Sequence, residues 1–98
     1  MKLITAIIQP DKFDKVCTAL MRAQVGGLTV SDVRGYGQED LESDWDLSGY
    51  LTTKLRLDIA LADERCEEVV ALIKQTAETG DVGDGVIFVS NLESFVRI

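Results

Sequence analysis

The sequence predicts an α+β domain whose elements follow one another as β-α-β-β-α-β, an antiparallel sheet with two helices on one face. Three observations predict it. Lys2 to Gln9 is a short apolar run that is hydrophobic on both faces of the pleat. Two later stretches, Phe13 to Leu20 and Cys66 to Ala77, repeat apolar residues at helical spacing. Between them, Lys54 to Leu61 alternates Leu55, Leu57, Ile59 and Leu61 with Lys54, Arg56, Asp58 and Ala60, the pattern of a half-buried strand.

Taken in order, the first strand carries Leu3 and Ile7 on one side and Ile4, Ala6 and Ile8 on the other, so it is expected at the centre of a sheet covered twice. Pro10 ends it, Asp11 is placed to cap a helix, and Phe13, Val16, Cys17 and Leu20 form that helix's apolar stripe. Gly26-Gly27 is expected to stop it. A second strand is predicted over Leu28 to Gly37, with a bulge or a close approach near Gly35. Residues 38–53 have no period, carry five acids from Glu39 to Asp46, and read as a long loop. After the alternating strand, Asp63 is placed to cap a helix with Cys66, Val69, Val70, Ile73 and Ala77 on its apolar face. A glycine loop follows, then a strand over Val86 to Ser90, then a tail with Phe95, Val96 and Ile98 that could extend a sheet edge. With right-handed crossovers this order is the ferredoxin-like sandwich. Its helices leave one sheet face bare, and a symmetric copy of the same chain is the simplest cover for it.

Composition narrows the function. The chain has 98 residues, one domain's worth, with a net charge of −7 and no His. Such a surface is unsuited to nucleic acid, whose phosphates are held by clustered Lys and Arg. A small anion is compatible only with a locally basic pocket. An RNA-recognition module is excluded further because Lys54 to Leu61 holds no aromatic on which a base could stack. Cys17 and Cys66 are far apart and lack Cys-x-x-Cys spacing, as expected of two buried thiols in a reducing compartment. The N-terminal apolar run is too short for a signal peptide or a membrane span, and the reading is a soluble cytoplasmic protein that is not inserted in a membrane.

No enzymatic constellation appears. Without His there is no ready base beside a nucleophile, and no Walker or Gly-x-Ser-x-Gly pattern occurs. An acylphosphatase-like site would need an Arg and an Asn converging on a phosphate, and Asn91 is the sole Asn. The acidic segment fails as an EF-hand: with Asp40 as first ligand, Trp45 would take the glycine position and Leu51 the bidentate Glu. No metal site or required cofactor is expected, and Trp45 and Tyr50 are candidate partner-contact anchors. The densest signal is Thr79 to Gly85, where Gly80, Gly83 and Gly85 fall within six residues. Such a backbone can aim several N–H groups at one anion, or can simply turn from helix to strand.

The loop Thr79-Gly80, two residues, then Gly83-Asp84-Gly85 leading into Ile87-Phe88 resembles the C-terminal signature of the PII signal-transduction proteins. Ala6-Ile7-Ile8 with Pro10 and Lys12 is similar to that family's first strand and turn. Gly27-Leu28-Thr29-Val30 followed by Gly35-Tyr36-Gly37 is similar to its second. The resemblance spans essentially the whole chain and implies a homotrimeric, non-enzymatic regulator. It would bind AMP, ADP or ATP in clefts between subunits and engage a partner protein, a transporter or an enzyme, through a mobile loop at 38–53.

Carried onto matching positions, the resemblance implies nucleotide-binding roles for Gly27, Leu28, Thr29, Gly35, Gly37, Gln38, Ala60, Gly83, Asp84, Gly85, Val86 and Arg97. Thr29 would read adenine, the glycine loop would surround phosphates, and Arg97 would bring charge from the last strand. Departures accompany the match. Val86 stands where the family carries a phosphate-binding lysine, Gln38 replaces a basic residue, and Asp81 replaces a frequent lysine. The loop is about four residues shorter than in typical members, and Tyr50 does not keep the spacing of the tyrosine that nitrogen-regulatory members modify. A glutamine that helps bind 2-oxoglutarate is Glu39 here, although Lys54 matches its assisting lysine. An effector anion, 2-oxoglutarate or bicarbonate, is therefore expected near Gly37 and Lys54, with Arg34 adjacent. Bicarbonate would align the protein with family members tied to inorganic-carbon uptake or carboxysomes. A third expectation is an interaction module whose nucleotide site has decayed.

Overall fold

The computed structural model describes residues 1–37 and 51–98. Four strands, β1 (Lys2–Ile8), β2 (Thr29–Gly35), β3 (Thr52–Leu61) and β4 (Gly85–Asn91), form one sheet in the order β2-β3-β1-β4. Every neighbouring pair is antiparallel. Helices α1 (Phe13–Arg22) and α2 (Asp63–Ala77) complete the predicted β-α-β-β-α-β order. The greasy first strand is central, as its two apolar faces required.

Ladder partners point to the same side of a sheet, so the register defines two faces. Ile4, Ala6 and Ile8 of β1 share a face with Leu57, Ile59 and Leu61 of β3, and all six are buried. Val16 and Leu20 of α1 and Cys66, Val69, Ile73 and Ala77 of α2 close over them. Each large aliphatic side chain buried in this way contributes roughly 1.5–3 kcal/mol relative to exposure. The opposite face carries Leu3, Thr5 and Ile7 of β1, Arg56 and Asp58 of β3, and Val86 and Phe88 of β4. Among the described residues no helix covers it, and Val86 and Phe88 are 45% and 56% exposed.

Several local expectations give way to the observed geometry. Asp11 does not cap α1: it lies inside a 3-10 turn, Pro10–Lys12, that precedes the helix, with Lys12 N–H donating to Gln9 O at 3.0 Å. Proline's fixed φ favours entering such a turn at once. Asp63 is the first residue of α2 rather than its cap, and its carboxylate pairs with the Met1 ammonium at 2.8 Å. That contact and the N-terminal end of the helix dipole both favour the ionised acid.

Gly26-Gly27 does not stop α1. The helix ends four residues earlier, where Gln24 takes the left-handed conformation (φ 59°), Gln24 N–H bonds Met21 O and Val25 N–H bonds Leu20 O, each at 3.0 Å. This is a Schellman ending with a non-glycine at its left-handed position. Arg65 of α2 supports it, donating to Ala23 O at 2.7 Å and to Gln24 O at 3.2 Å.

The second strand is shorter than expected and unbulged, its register running unbroken from Thr29 opposite Asp58 to Gly35 opposite Thr52. The loop expected over 38–53 ends sooner, because Thr52 and Thr53 belong to β3. Residues 38–50, including Gln38, Glu39, Trp45 and Tyr50, lie outside the described residues. The tail from Leu92 to Ile98 adds no strand to the sheet, so Arg97 is not on a strand; its guanidinium lies over the Phe95 ring, 5.3 Å from the centroid. Cys66 is buried but Cys17 is only half-buried, and both are free thiols. Among the described residues no helix is long and apolar enough to cross a membrane.

Candidate functional site

Antiparallel pairing gathers four strand ends at one edge of the sheet. The end of β2 at Gly35, the start of β3 at Thr52, the end of β1 at Ile8 and the start of β4 at Gly85 all face the same way. Between them opens a cavity of about 670 Å³. One wall is the β2–β3 side, with Val33, Arg34, Gly35, Tyr36, Gly37, Lys54 and Arg56; the other is the glycine loop from Asp81 to Val86, with Ile7 at the floor.

The glycine loop is bent as its composition requires. Gly80, Gly83 and Gly85 all have positive φ, at 93°, 101° and 139°. At Gly85 the reason is also steric, because a Cβ there would lie 2.2 Å from Ile7 O. Only glycine lets β4 start this close to β1. Gln9, the residue after β1, anchors the loop, its Nε2 donating to Gly83 O at 2.6 Å.

The loop also contains its own anion. The Asp84 carboxylate accepts hydrogen bonds from Thr79 Oγ1 at 2.6 Å, Thr79 N at 2.5 Å and Gly80 N at 3.1 Å. The Thr79 hydroxyl above all, then the two N–H groups, holds the Asp84 carboxyl below its ordinary range. These two backbone donors are therefore engaged within the chain. Any added anion meets the rest of the loop and the cationic wall opposite.

That wall decides the electrostatics. Arg34, Lys54 and Arg56 line the cavity with Asp81 and Asp84, and Arg56 is paired with Asp58, so three of the chain's ten cations gather on this wall. A small anion is compatible with such a setting.

The structure divides the expected residues into two groups. Gly35, Gly37, Gly83, Asp84, Gly85 and Val86 meet at the cavity, together with the anion candidates Lys54 and Arg34. Gly27, Leu28, Thr29, Ala60 and Arg97 do not line it. Thr29 begins the strand that Gly35 ends, about 20 Å away along β2. Ala60 pairs with Leu3 near the far end of the sheet, and the tail bearing Arg97 leaves after Asn91, which pairs with Lys2. Sequence reasoning did not single out Ile7, Val33, Gln9 or Arg56. The alternation of the strand puts Arg56 on its polar phase and gives no sign that this phase faces a cavity.

A ferredoxin-like sheet with a glycine loop and the long β2–β3 connection at one edge defines the class to which the chain is similar throughout. Residues 1–98 match the family described as Nitrogen regulatory protein P-II, and the chain belongs to that family. Nitrogen regulatory protein GlnK of Escherichia coli (strain K12) is 38% identical over 102 residues, covering 100% of this chain and 91% of the relative. Nitrogen regulatory protein P-II of Rhizobium meliloti (strain 1021) is 39% identical and that of Porphyra purpurea 36%, with the same coverage. The family is one of signalling regulators that assemble as trimers and bind partner proteins.

Proposed function

We propose that this protein is a P-II-type regulator that binds an adenine nucleotide, AMP, ADP or ATP, in clefts between the copies of a homotrimer. It passes occupancy to a partner protein, a transporter or an enzyme, through residues 38–50. The observation that carries this reading is the cavity that unites Gly35 and Gly37 with Gly83, Gly85 and Val86 at the edge where β2 ends and β3 begins. The split among the carried-over residues supports clefts between copies. Thr29, Ala60 and Arg97 are remote from the glycine loop of their own chain, so they would complete the site of a neighbouring one. The two free cysteines fit action in the reducing cytoplasm.

Arg34 and Lys54 on the cavity wall favour a second, smaller ligand beside the nucleotide, an effector anion such as 2-oxoglutarate or bicarbonate near Gly37. Bicarbonate would make the protein a regulator of inorganic-carbon metabolism; 2-oxoglutarate would keep it with nitrogen regulation. Thermal shift with AMP, ADP and ATP, each with and without either anion, tests both readings. A nucleotide at ~100 times its dissociation constant adds roughly 2.7 kcal/mol of stability. Absence of any shift would leave an interaction module without a nucleotide site.

Val86 sets the expected preference. It lines the cavity where a cation would grip a terminal phosphate, so ATP is expected to have no large advantage over AMP. Val86→Lys should add a charge-assisted contact of about 1.5–3 kcal/mol, roughly ten- to a hundredfold in affinity, and raise the ATP-to-AMP ratio. Calorimetry on both proteins measures it, and an unchanged ratio in a folded variant would place the phosphates elsewhere.

A further inference from the structure

We propose that Arg56 is a phosphate-binding residue of this cavity, supplying from β3 the charge that Val86 does not supply from β4. The inference rests on the nucleotide reading above and extends it to a residue outside the glycine loop. Arg56 and Val86 line the same cavity. In the sheet register Arg56 pairs with Ile7 and Ile7 pairs with Val86, so the three lie in one row on the uncovered face. Arg56 and Val86 are thus separated by a single intervening strand, about 10 Å between backbones, a gap that a long side chain and a phosphate can bridge together.

The other cavity cations are less well placed for this role. Lys54 pairs with Val33, one same-face step further along β3, and Arg34 belongs to the opposite face of β2.

Arg56 is also held in position. Its Nε donates to Asp58 Oδ2 at 3.0 Å, while Asp58 Oδ1 accepts from the hydroxyl of Thr5 at 2.7 Å, and Thr5 is buried. Among the described residues Asp58 is the guanidinium's one partner, engaged through Nε, which leaves both Nη groups without a hydrogen bond there on a residue that lines the cavity. A planar fork fixed at its base and open at its tip suits two oxygens of one phosphate. Thr5 and Asp58 are then positioning residues that act through Arg56.

The test is calorimetry of adenosine, AMP, ADP and inorganic pyrophosphate on the full chain, with light scattering to establish that each variant keeps the wild-type mass. Arg56→Gln should weaken AMP, ADP and pyrophosphate by ~10-fold or more, the scale of a charge-assisted contact, and leave adenosine unchanged. Adding Val86→Lys should raise phosphate affinity by a larger factor in Arg56→Gln than in the wild type, the non-additivity expected of two cations serving one phosphate, whereas a merely structural role for Arg56 would give the same factor in both. If Arg56→Gln changes the mass, Arg56→Lys keeps the charge without the fork and should still weaken the phosphate ligands selectively. Equal affinities in wild type and variant, or a loss that includes adenosine with the same Val86→Lys factor in both backgrounds, would overturn the inference while the nucleotide reading stands. If the wild type binds no nucleotide, that reading fails, and pyrophosphate alone decides: binding lost in Arg56→Gln supports the role of Arg56, and no binding overturns it.

Discussion

Gly85 and Asp84 show how much of the site rests on single residues. Gly85 brings β4 against Ile7 O, where a Cβ would sit at 2.2 Å with a backbone φ of 139°. Gly85→Ala must therefore shift the strand or strain it, and a loss of about 3 kcal/mol is expected in urea unfolding. Gly80→Ala, with φ 93° but open space around it, should cost only about 1–2 kcal/mol. Asp84 gives the loop a pH dependence. Its carboxyl is held below the ordinary value of 3.8 by Thr79 and Gly80, so its contribution to loop order is fully present above that value. It is lost as pH falls through the lower folded-state value. Protection of the Thr79 and Gly80 amides, measured relative to intrinsic exchange at each pH, should accordingly fall as pH drops below about 3.8 in wild type, and Asp84→Asn should already reduce it at neutral pH.

At the scale of elements, α1 and α2 are tied by one arginine. Arg65 donates to the carbonyls of Ala23 and Gln24 at the end of α1 while its Nε pairs with Glu68 at 2.7 Å on its own helix. The α1 carbonyls are the negative end of that helix, so the cation is favourable there as well as hydrogen-bonded. Arg65→Ala should destabilise the fold by about 1.5–3 kcal/mol, the range for hydrogen bonds to a charged group. Arg65→Lys should recover only part of this because it cannot span both carbonyls. Chemical denaturation of the three proteins measures the difference. Neither variant touches the cavity, so nucleotide affinity should be unchanged at temperatures where both remain folded.

For the whole molecule the decisive feature is the sheet face that no helix of the described residues covers. Leu3, Ile7, Val86 and Phe88 lie on it around a polar centre of Thr5, Arg56 and Asp58. Apolar surface of this kind on a small domain is normally covered, and a symmetric assembly covers it at no cost in new sequence. Light scattering at micromolar concentration should give three times the 10.8 kDa chain mass. A single-chain mass would contradict both the burial argument and the cleft site. Phe88→Asp should shift the population toward monomer, because it places three uncompensated acids in the covered face of a trimer.

Much of this protein was legible in its sequence because the signals are local and periodic. Alternation from Lys54 to Leu61 placed β3, two apolar faces placed β1 at the centre, and helical spacing picked out Val16, Leu20, Val69 and Ile73 as core. The three glycines marked a loop in which every one of them has positive φ. Capping was read less well. Asp11, Asp63 and Gly26 each suit a helix end by residue type, yet the ends were settled by Pro10, by the Met1 ammonium and by Arg65 reaching across from α2. Those partners are remote in the chain or act through conformation, and residue preferences at helix ends are too weak to outweigh them. The cavity was hidden for the same reason. Gly35 and Gly85 are fifty residues apart in sequence, and only strand pairing brings them to one edge, with Arg56 turned from a solvent-face residue into part of the wall. Periodicity can tell which side of a strand a residue faces; what stands opposite is decided by the register of its neighbours.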